Sequence, residues 1–251
     1  MSRAVHTAVG AGVGAAGFAW FHGQYPTSQL YGRTICRVPG ADRMISLTYD
    51  DGPNPRWTEP LMEVLARHGA HATFLTIGKW AEREPDLLRA LSAAGHAFGN
   101  HTWSHPTMPL RSRTQIHEEL RRCREAVEAA GVEFSTVDGA ALMRPPYGRR
   151  RPGTLRAIRE AGYNPFLWSI TCYDWRRTAT VDKLVSRAGR ARGGDVILLH
   201  DGSHTEPAAD RSASVAATDE VLGRLTAEGY RFVTVPELVG ETPDAAAGDS
   251  V

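Results

Sequence analysis

Residues 44–53 decide the fold of this chain, and they read Met-Ile-Ser-Leu-Thr-Tyr-Asp-Asp-Gly-Pro. An apolar strand pattern runs into two adjacent carboxylates, Asp50 and Asp51, and then into a Gly-Pro turn. Neighbouring side chains of a strand point to opposite faces, so both carboxylates can serve one site only if the strand breaks at its end. Gly52 and Pro53 predict that break. For this stretch alone, a solvated Asp-Gly turn is the alternative.

Short apolar runs alternate with helical patterns along the rest of the chain, without an internal repeat. The predicted strands are Met44–Tyr49, Ala72–Ile77, His96–Gly99, Ala141–Met143, Asn164–Trp168, Val196–Leu199 and Arg231–Val235. The predicted helices are Thr58–Arg67, a segment from Pro85 to the stop at Gly95, Thr114–Ala130, Thr154–Ala161, Val181–Ala191 and Ser214–Ala227. Seven strands that alternate with helices predict an α/β fold with a parallel sheet in a single domain.

The bulk composition is that of an ordinary globular protein. The chain has 251 residues, of which 42% are hydrophobic and 23% charged. Its net charge is +1 and its basic residues are scattered, so no nucleic-acid partner is predicted. The three cysteines, Cys36, Cys123 and Cys172, lack CxxC spacing and predict neither a zinc finger nor a disulfide framework. One bridge plus a free thiol stays open.

The two ends of the chain are expected to lie outside the globular part, residues 41–240. Residues 1–40 form an N-terminal arm whose apolar stretch, Ala8–Phe21, is shorter than the ~18 residues of a spanning helix. That stretch is either a degenerate signal or membrane-anchor segment, with membrane contact, or a packed or disordered arm. Residues 241–251 are expected to be a disordered tail. We expect a monomer located outside the cell or at its envelope, with the cytoplasm left open.

A second motif, Asn-His-Thr-Trp-Ser-His at residues 100–105, holds two histidines four residues apart. His101 and His105 reach a common point if the residues between them form one helical turn. Imidazole is the commonest protein ligand for zinc. Asp51 would complete a set of two imidazoles and one carboxylate, with positions left open for water and substrate. The alternative is a chance pair in a chain that has 10 histidines.

Three further motifs follow predicted strands. They are Arg-Pro-Pro-Tyr-Gly at residues 144–148, Asp174-Trp175, and Leu-Leu-His at residues 198–200. The prolines fix an extended loop, and a carboxylate beside a strand-terminal histidine makes a general acid of raised pKa. Each motif alone can be explained as an ordinary turn or loop. Five such motifs in this order, each after a predicted strand, cannot be explained in that way. Because they end five different strands, they favour a closed barrel, which gathers all the carboxyl ends at one mouth, over an open sheet.

Together the five motifs resemble those of the polysaccharide deacetylase family, the NodB-like domains of carbohydrate esterase family 4. The resemblance covers roughly Met44–Val239. It implies a distorted, TIM-like (β/α)7 barrel, in agreement with the seven predicted strands. It also implies a hydrolase that removes N-acetyl groups from N-acetylglucosamine-containing glycans. The implied cofactor is a divalent metal ion, zinc first, with cobalt, nickel and manganese open.

The resemblance implies a role for each matching position. Asp50 matches the catalytic base and His200 the general acid. The other matching positions are the metal ligands Asp51, His101 and His105; Arg144, which orients the base; Asp174, the partner of the acid; Tyr147, whose backbone N–H contacts the oxyanion; and Trp175 and Leu198, which line the pocket for the acetyl methyl group.

Two positions depart from the family pattern. Tyr49 stands where phenylalanine is usual, which changes only packing. Thr171 stands where an aspartate is frequent, three residues before Asp174, so one wall of the groove is unusual. An O-acetyl esterase acting on xylan-type polysaccharide is an alternative within the enzymes. A non-catalytic carbohydrate- or metal-binding barrel is another alternative, but it would lack the base or the acid. The choice among peptidoglycan, chitin oligosaccharide and a related glycoconjugate stays open.

Overall fold

A computed structural model describes residues 17–240 of the chain. Most of the predicted apolar segment, and the whole predicted tail, lie outside the described residues. Within residues 17–240, no helix combines the length and the apolar character that crossing a membrane requires. The described part begins with a helix at residues 17–24, here called α1, which packs beside the globular part of the chain.

Strands and helices alternate through most of the described chain. The strands are β1 Met44–Gly52, β2 Ala72–Thr76, β3 Ala97–Asn100, β4 Thr136–Val137, β5 Ala140–Met143, β6 Tyr163–Pro165, β7 Ile170–Thr171, β8 Val196–His200 and β9 Arg231–Phe232. The helices after α1 are α2 Thr58–Arg67, α3 Gly78–Ala81, α4 Pro85–Ala93, α5 Arg113–Ala129, α6 Pro152–Glu160, α7 Val181–Ala188, α8 Ser212–Ala227 and α9 Val235–Val239.

Strand β1 lies inside the sheet, whose hydrogen-bonded order is β4-β5-β3-β2-β1-β8-β7, with β6 on β5 and β9 on β1. The pairs are parallel, except for β4 with β5. Among the described strands no ladder joins β6 to β7, so the sheet is not closed by hydrogen bonds. The predicted α/β fold with a central parallel sheet is confirmed, and this sheet is compatible with a distorted barrel.

Both faces of β1 are buried, and they carry different side chains. Ile45, Leu47 and Tyr49 pack into the main core under the helices. Alternate residues point the other way, and Thr48 donates from its hydroxyl to a backbone carbonyl of β8 at 2.7 Å. The phenol of Tyr49 meets the hydroxyl of Thr218 on α8 at 2.8 Å. The residue that departs from the family pattern thus makes a buried hydrogen bond besides packing.

The helix boundaries follow the punctuation in the sequence. The longest helix, α5, begins with a capping box in which Ser112 and Gln115 satisfy each other's backbone N–H groups. Glycines follow the ends of α4 and α5, where Gly95 and Gly131 have φ values of 78° and 75°. The predicted helix stops at these two glycines are therefore confirmed.

Four short elements were not predicted: β4, β7, α3 and α9. Each has two to five residues, which is too short to show a period in the sequence. Three predicted strands are also shorter than expected, and the one over Ala72–Ile77 ends a single residue early, at Thr76. The strand over Asn164–Trp168 is Tyr163–Pro165, and the one over Arg231–Val235 is Arg231–Phe232. The strand at Arg231 ends early because Thr234 caps helix α9.

The carboxyl ends of β1 and β8 are in contact. The glycines at this contact leave no room for a side chain. A Cβ added at Gly202 would lie 2.0 Å from the carbonyl oxygen of Asp51. A Cβ added at Gly52 would lie 2.1 Å from a carboxylate oxygen of Asp201. Both distances are far below any normal contact. At Gly202 the obstacle is backbone, so glycine is required there, whereas at Gly52 the carboxylate of Asp201 would have to move.

We expect Gly202→Ala to lower the free energy of unfolding by about 1–3 kcal/mol, the usual cost of forcing an extra methyl group into a packed site. Chemical denaturation measures it. Gly153→Ala in α6 is the matched control, because an added Cβ there would meet no atom of the described residues within 4 Å apart from its chain neighbours and the nearby backbone of its own helix. The control should keep or raise the stability. An unchanged stability of Gly202→Ala would mean that the two strand ends are not in contact.

Candidate active site

Both carboxylates of the first motif reach the same mouth because β1 bends at Asp51. The pairing of β1 with β2 shifts its register between Asp50 and Gly52, and Asp51 has a φ of 72°. A residue in the left-handed region interrupts the alternation of side chains. The break that was expected at Gly52 and Pro53 therefore begins at Asp51 itself, a costly conformation for a residue with a side chain.

His101 and His105 lie in a loop after β3, and the helical turn predicted from their spacing is absent from this described segment. Left-handed backbone at Thr102 and His105, with φ values of 68° and 61°, turns the loop instead. The side chain of Asn100 accepts from the N–H of Thr102 at 2.8 Å and donates to the carbonyl of Leu120 at 2.9 Å. These hydrogen bonds help to hold the loop in which the two imidazole centroids lie 4.9 Å apart.

Asp51, His101 and His105 each bring a ligand atom within 4.8 Å of the other two. Nε2 of His101 and Nε2 of His105 lie 3.5 and 3.3 Å from Oδ1 of Asp51. Within the described chain this buried oxygen has no hydrogen-bond partner. His101 donates from Nδ1 to the carbonyl of Arg144 at 2.8 Å, which leaves Nε2 as an acceptor. An unpartnered carboxylate oxygen beside two imidazoles fits a divalent metal ion.

The protonation states of this cluster also suit a metal ion. Burial alone would raise the pKa of Asp51, but the imidazoles of His105, His101 and His204 hold it well below its usual range. Burial lowers the pKa of His105 well below its ordinary value. Near neutral pH, a carboxylate and a neutral imidazole are thus available, and neither has to lose a proton before it binds a metal.

Asp50 forms an ion pair with Arg144, whose side chain is fully buried. Nη1 of Arg144 lies 2.6 Å from Oδ1 of Asp50, and Nη2 donates to the carbonyl of Leu167 at 3.1 Å. The guanidinium also lies 4.5 and 5.3 Å from the ring centroids of Phe166 and Trp168. Burial lowers the pKa of Arg144 and Asp50 opposes that shift. The guanidinium supplies the opposite charge that a buried carboxylate requires.

His200, at the end of β8, is held by Asp174. Nδ1 of His200 donates to Oδ1 of Asp174 at 2.8 Å, and its backbone N–H donates to Oδ2 at 2.7 Å. The hydroxyl of Ser214 donates to the same Oδ2 at 2.8 Å. Burial alone would lower the pKa of His200, but the charge of Asp174 outweighs it and raises that pKa to about 9. The imidazole is therefore doubly protonated and positively charged near neutral pH, and its Nε2–H group is left for another partner.

A cavity of about 470 Å³ opens at this end of the sheet, a size typical of small-molecule sites. Eight of the predicted site residues line it: Asp50, Asp51, His101, His105, Tyr147, Trp175, Leu198 and His200. The other two, Arg144 and Asp174, pair with Asp50 and His200. The structure thus brings all ten predicted residues together.

His204 also lines this cavity, and it was not predicted from the sequence. Its ring stacks on His105 with centroids 4.3 Å apart, and its Nδ1 lies 3.5 Å from Oδ2 of Asp51. The hydroxyl of Tyr147 lies 3.3 Å from its Nε2. The signal that could have found it is its position four residues after His200, the same spacing as in the second motif.

Comparisons with known proteins find matches to one family. The profile of a family described as polysaccharide deacetylase matches residues 37–166. A peptidoglycan-N-acetylglucosamine deacetylase of Bacillus cereus is 34% identical over 211 residues, which cover 83% of this chain and 93% of the relative. A chitooligosaccharide deacetylase of Sinorhizobium fredii is 33% identical, covering 82% and 97%. A solved family 4 carbohydrate esterase from Streptomyces lividans has a TM-score of 0.66 at 30% identity, covering 75% and 91%.

We expect the protein to bind Zn²⁺ and Asp51→Ala to weaken that binding by roughly 100-fold or more. Removing an outer partner of a ligand already costs 10- to 100-fold, and this change removes a ligand itself. Titration calorimetry near pH 7 measures the affinity. Asp182→Ala, which removes an exposed carboxylate from α7, is the control and should bind as the unaltered protein does. If Asp51→Ala keeps tight binding, the ligand set is wrong.

Proposed function

The chain belongs to the polysaccharide deacetylase family, and on this basis we propose that it hydrolyses the N-acetyl groups of N-acetylglucosamine-containing glycans and releases acetate. The observation that supports this most directly is the wall of one cavity, where Asp51, His101 and His105 lie beside Asp50 and share the space with His200. The proposal covers peptidoglycan and chitin oligosaccharide, which the names of two relatives contain. A site of action at the cell envelope or outside the cell is part of it.

The metal ligands in this proposal are Asp51, His101 and His105, and we propose Zn²⁺ for them. The same donor set accepts Co²⁺, Ni²⁺ or Mn²⁺. When bound, such an ion polarises a carbonyl oxygen and lowers the pKa of water to around 7 in favourable sites.

Asp50 takes the proton of the attacking water. Its Oδ1 is held by Arg144, and its Oδ2 lies 3.6 Å from Nε2 of His101, at the edge of the ligand set. The buried guanidinium fixes the orientation of the carboxylate, so the proton acceptor does not have to be reoriented during the reaction. Arg144 is therefore a positioning residue, since it acts through Asp50.

His200 delivers a proton to the departing nitrogen as the C–N bond breaks. An amine anion is a poor leaving group, so amide hydrolysis needs this donor. Because Asp174 occupies Nδ1, the proton comes from Nε2. The backbone N–H of Tyr147 is assigned to the developing oxyanion, and one such donor is worth about 3 kcal/mol in other hydrolases. Trp175 and Leu198 enclose the acetyl methyl group.

We expect the metal-loaded protein to release acetate from N-acetylglucosamine oligomers, and His200→Ala to lower that rate by roughly 100-fold or more, the contribution of a general acid. Acetate assay and calorimetry are run on both proteins, and metal affinity should be unchanged. Metal loss in His200→Ala would place this residue among the ligands.

The same assay on acetylated xylan separates the amide reaction from ester hydrolysis. An alkoxide leaves more readily than an amine anion, so an esterase depends less on His200. Faster acetate release from acetylated xylan, with little effect of His200→Ala, would make the protein an O-acetyl esterase instead.

The pH profile should show a fall in activity as the pH rises through about 9, because His200 must be protonated to act as the acid. In Asp174→Asn the charge that raises this pKa is gone, so the alkaline limb should move to lower pH by about 1–3 units. Ser214→Ala is the control, since it removes a hydrogen bond to Asp174 but no charge. If the alkaline limb of Asp174→Asn stays at the same pH as in the unaltered enzyme, the titration of His200 does not set that limb.

A further inference from the structure

A second cavity, of about 410 Å³, adjoins the first at the same end of the sheet. Five residues line both cavities: Gln24, Pro26, Trp168, Thr171 and Tyr173. The second cavity lies between residues 21–27, at the end of α1, and residues 168–173, around β7. The two cavities share these wall residues and so form one groove.

Arg150 fixes the segment after α1 in this position. Its side chain is 2% exposed, and Nη2 donates to the carbonyl oxygens of Tyr25 and Ser28 at 2.7 and 2.8 Å. Its backbone N–H donates to the carbonyl of Gly23 at 3.1 Å, and a Cβ added at Gly23 would lie 2.9 Å from the carbonyl oxygen of Arg150. The segment is thus held against the chain just after the Arg-Pro-Pro-Tyr-Gly loop, which carries one wall of the first cavity.

The surface chemistry of the second cavity suits a neutral sugar. Phe21 and Tyr25 stack with ring centroids 5.1 Å apart, and about half of each side chain is exposed. Aromatic faces attract the polarised C–H groups of a pyranose ring. Gln24 and Thr27 add an amide and a hydroxyl group for hydrogen bonds. None of the described residues that line this cavity is a charged type, so nothing in the lining selects an anion.

Thr171 keeps the shared wall uncharged. Its hydroxyl accepts a hydrogen bond from the indole N–H of Trp168 at 2.6 Å. Gly148 packs against the same ring, since an added Cβ there would lie 2.7 Å from it. An aspartate at position 171 would put a negative charge into this wall. The departure from the family pattern thus falls where the two cavities meet.

We propose that residues 21–27 and 168–173 form a second glycan subsite, which binds the sugar unit next to the one that is deacetylated. This proposal rests on the proposed function and deepens it. Phe21 and Tyr25 provide the stacking surface, and Arg150 acts as a positioning residue for both. The enzyme therefore prefers oligomers over the shortest substrates.

The test is the ratio of kcat/KM for a pentamer of N-acetylglucosamine to kcat/KM for the dimer, measured by acetate release from the metal-loaded full chain. The ratio should exceed one in the unaltered enzyme. Phe21→Ala and Tyr25→Ala should each lower it roughly tenfold, a common cost of truncating a central aromatic contact. Phe21→Tyr, which keeps the ring, should retain it. Arg150→Leu should lower it, because the segment loses its anchor.

Trp20→Ala is the matched control, because Trp20 lies on the same helix, is 69% exposed and is not on the cavity wall. Its ratio should equal that of the unaltered enzyme. Equal losses in Trp20→Ala and Phe21→Ala would overturn the subsite, and so would an unchanged ratio in both Phe21→Ala and Tyr25→Ala. Thermal unfolding of each variant shows whether it is folded.

The failure of this proposal differs from a failure of the proposed function. If no N-acetylglucosamine oligomer yields acetate from the metal-loaded enzyme, the proposed function fails and the subsite fails with it. If the oligomers yield acetate but the ratio does not respond to the two aromatic positions, only the subsite is overturned.

Discussion

Two adjacent carboxylates at the end of one buried strand are the constraint on which the rest of this site depends. Asp50 and Asp51 are each only 4% exposed. A buried carboxylate is costly unless a partner of opposite charge or a metal ion meets it. The bend at Asp51 sends the two side chains to different partners, so Arg144 meets Asp50 while His101 and His105 meet Asp51. The need to neutralise these two buried carboxylates therefore holds the ends of β1, β3 and β5 together.

Two histidines of this site, His105 and His200, have opposite protonation states because their surroundings differ. His105 lies in a buried cluster, where burial lowers its pKa, so it is neutral and available as a ligand. The side chain of His200 is 12% exposed, against 4% for His105, and the carboxylate of Asp174 raises its pKa to about 9 and keeps it protonated. A neutral imidazole and a protonated imidazole, the proposed ligand and the proposed acid, thus coexist in one cavity. The environment of each ring, rather than the residue type, separates the two roles.

Much of the fold and most of the site could be predicted from the sequence, because strands, helices and motifs leave local patterns. Apolar runs marked the long strands, and the ten predicted residues meet at one mouth. The route of the chain between His101 and His105 could not be predicted, since two left-handed residues leave no periodic signal. His204 and the segment after α1 were missed for a related reason. Their positions depend on contacts with distant residues, such as Arg150, that no local pattern encodes.

The contact between β1 and β8 has a consequence for the order in which the site is assembled. The three proposed metal ligands all lie within the first 105 residues, but the proposed acid is residue 200 and belongs to a strand that pairs directly with β1. During synthesis, which begins at the N-terminus, the ligands emerge long before β8. One edge of β1 then has no strand to pair with until β8, about 150 residues later, has been made. Gly202 packs on the carbonyl of Asp51, so the contact between the proposed ligands and the proposed acid cannot form until β8 has been made.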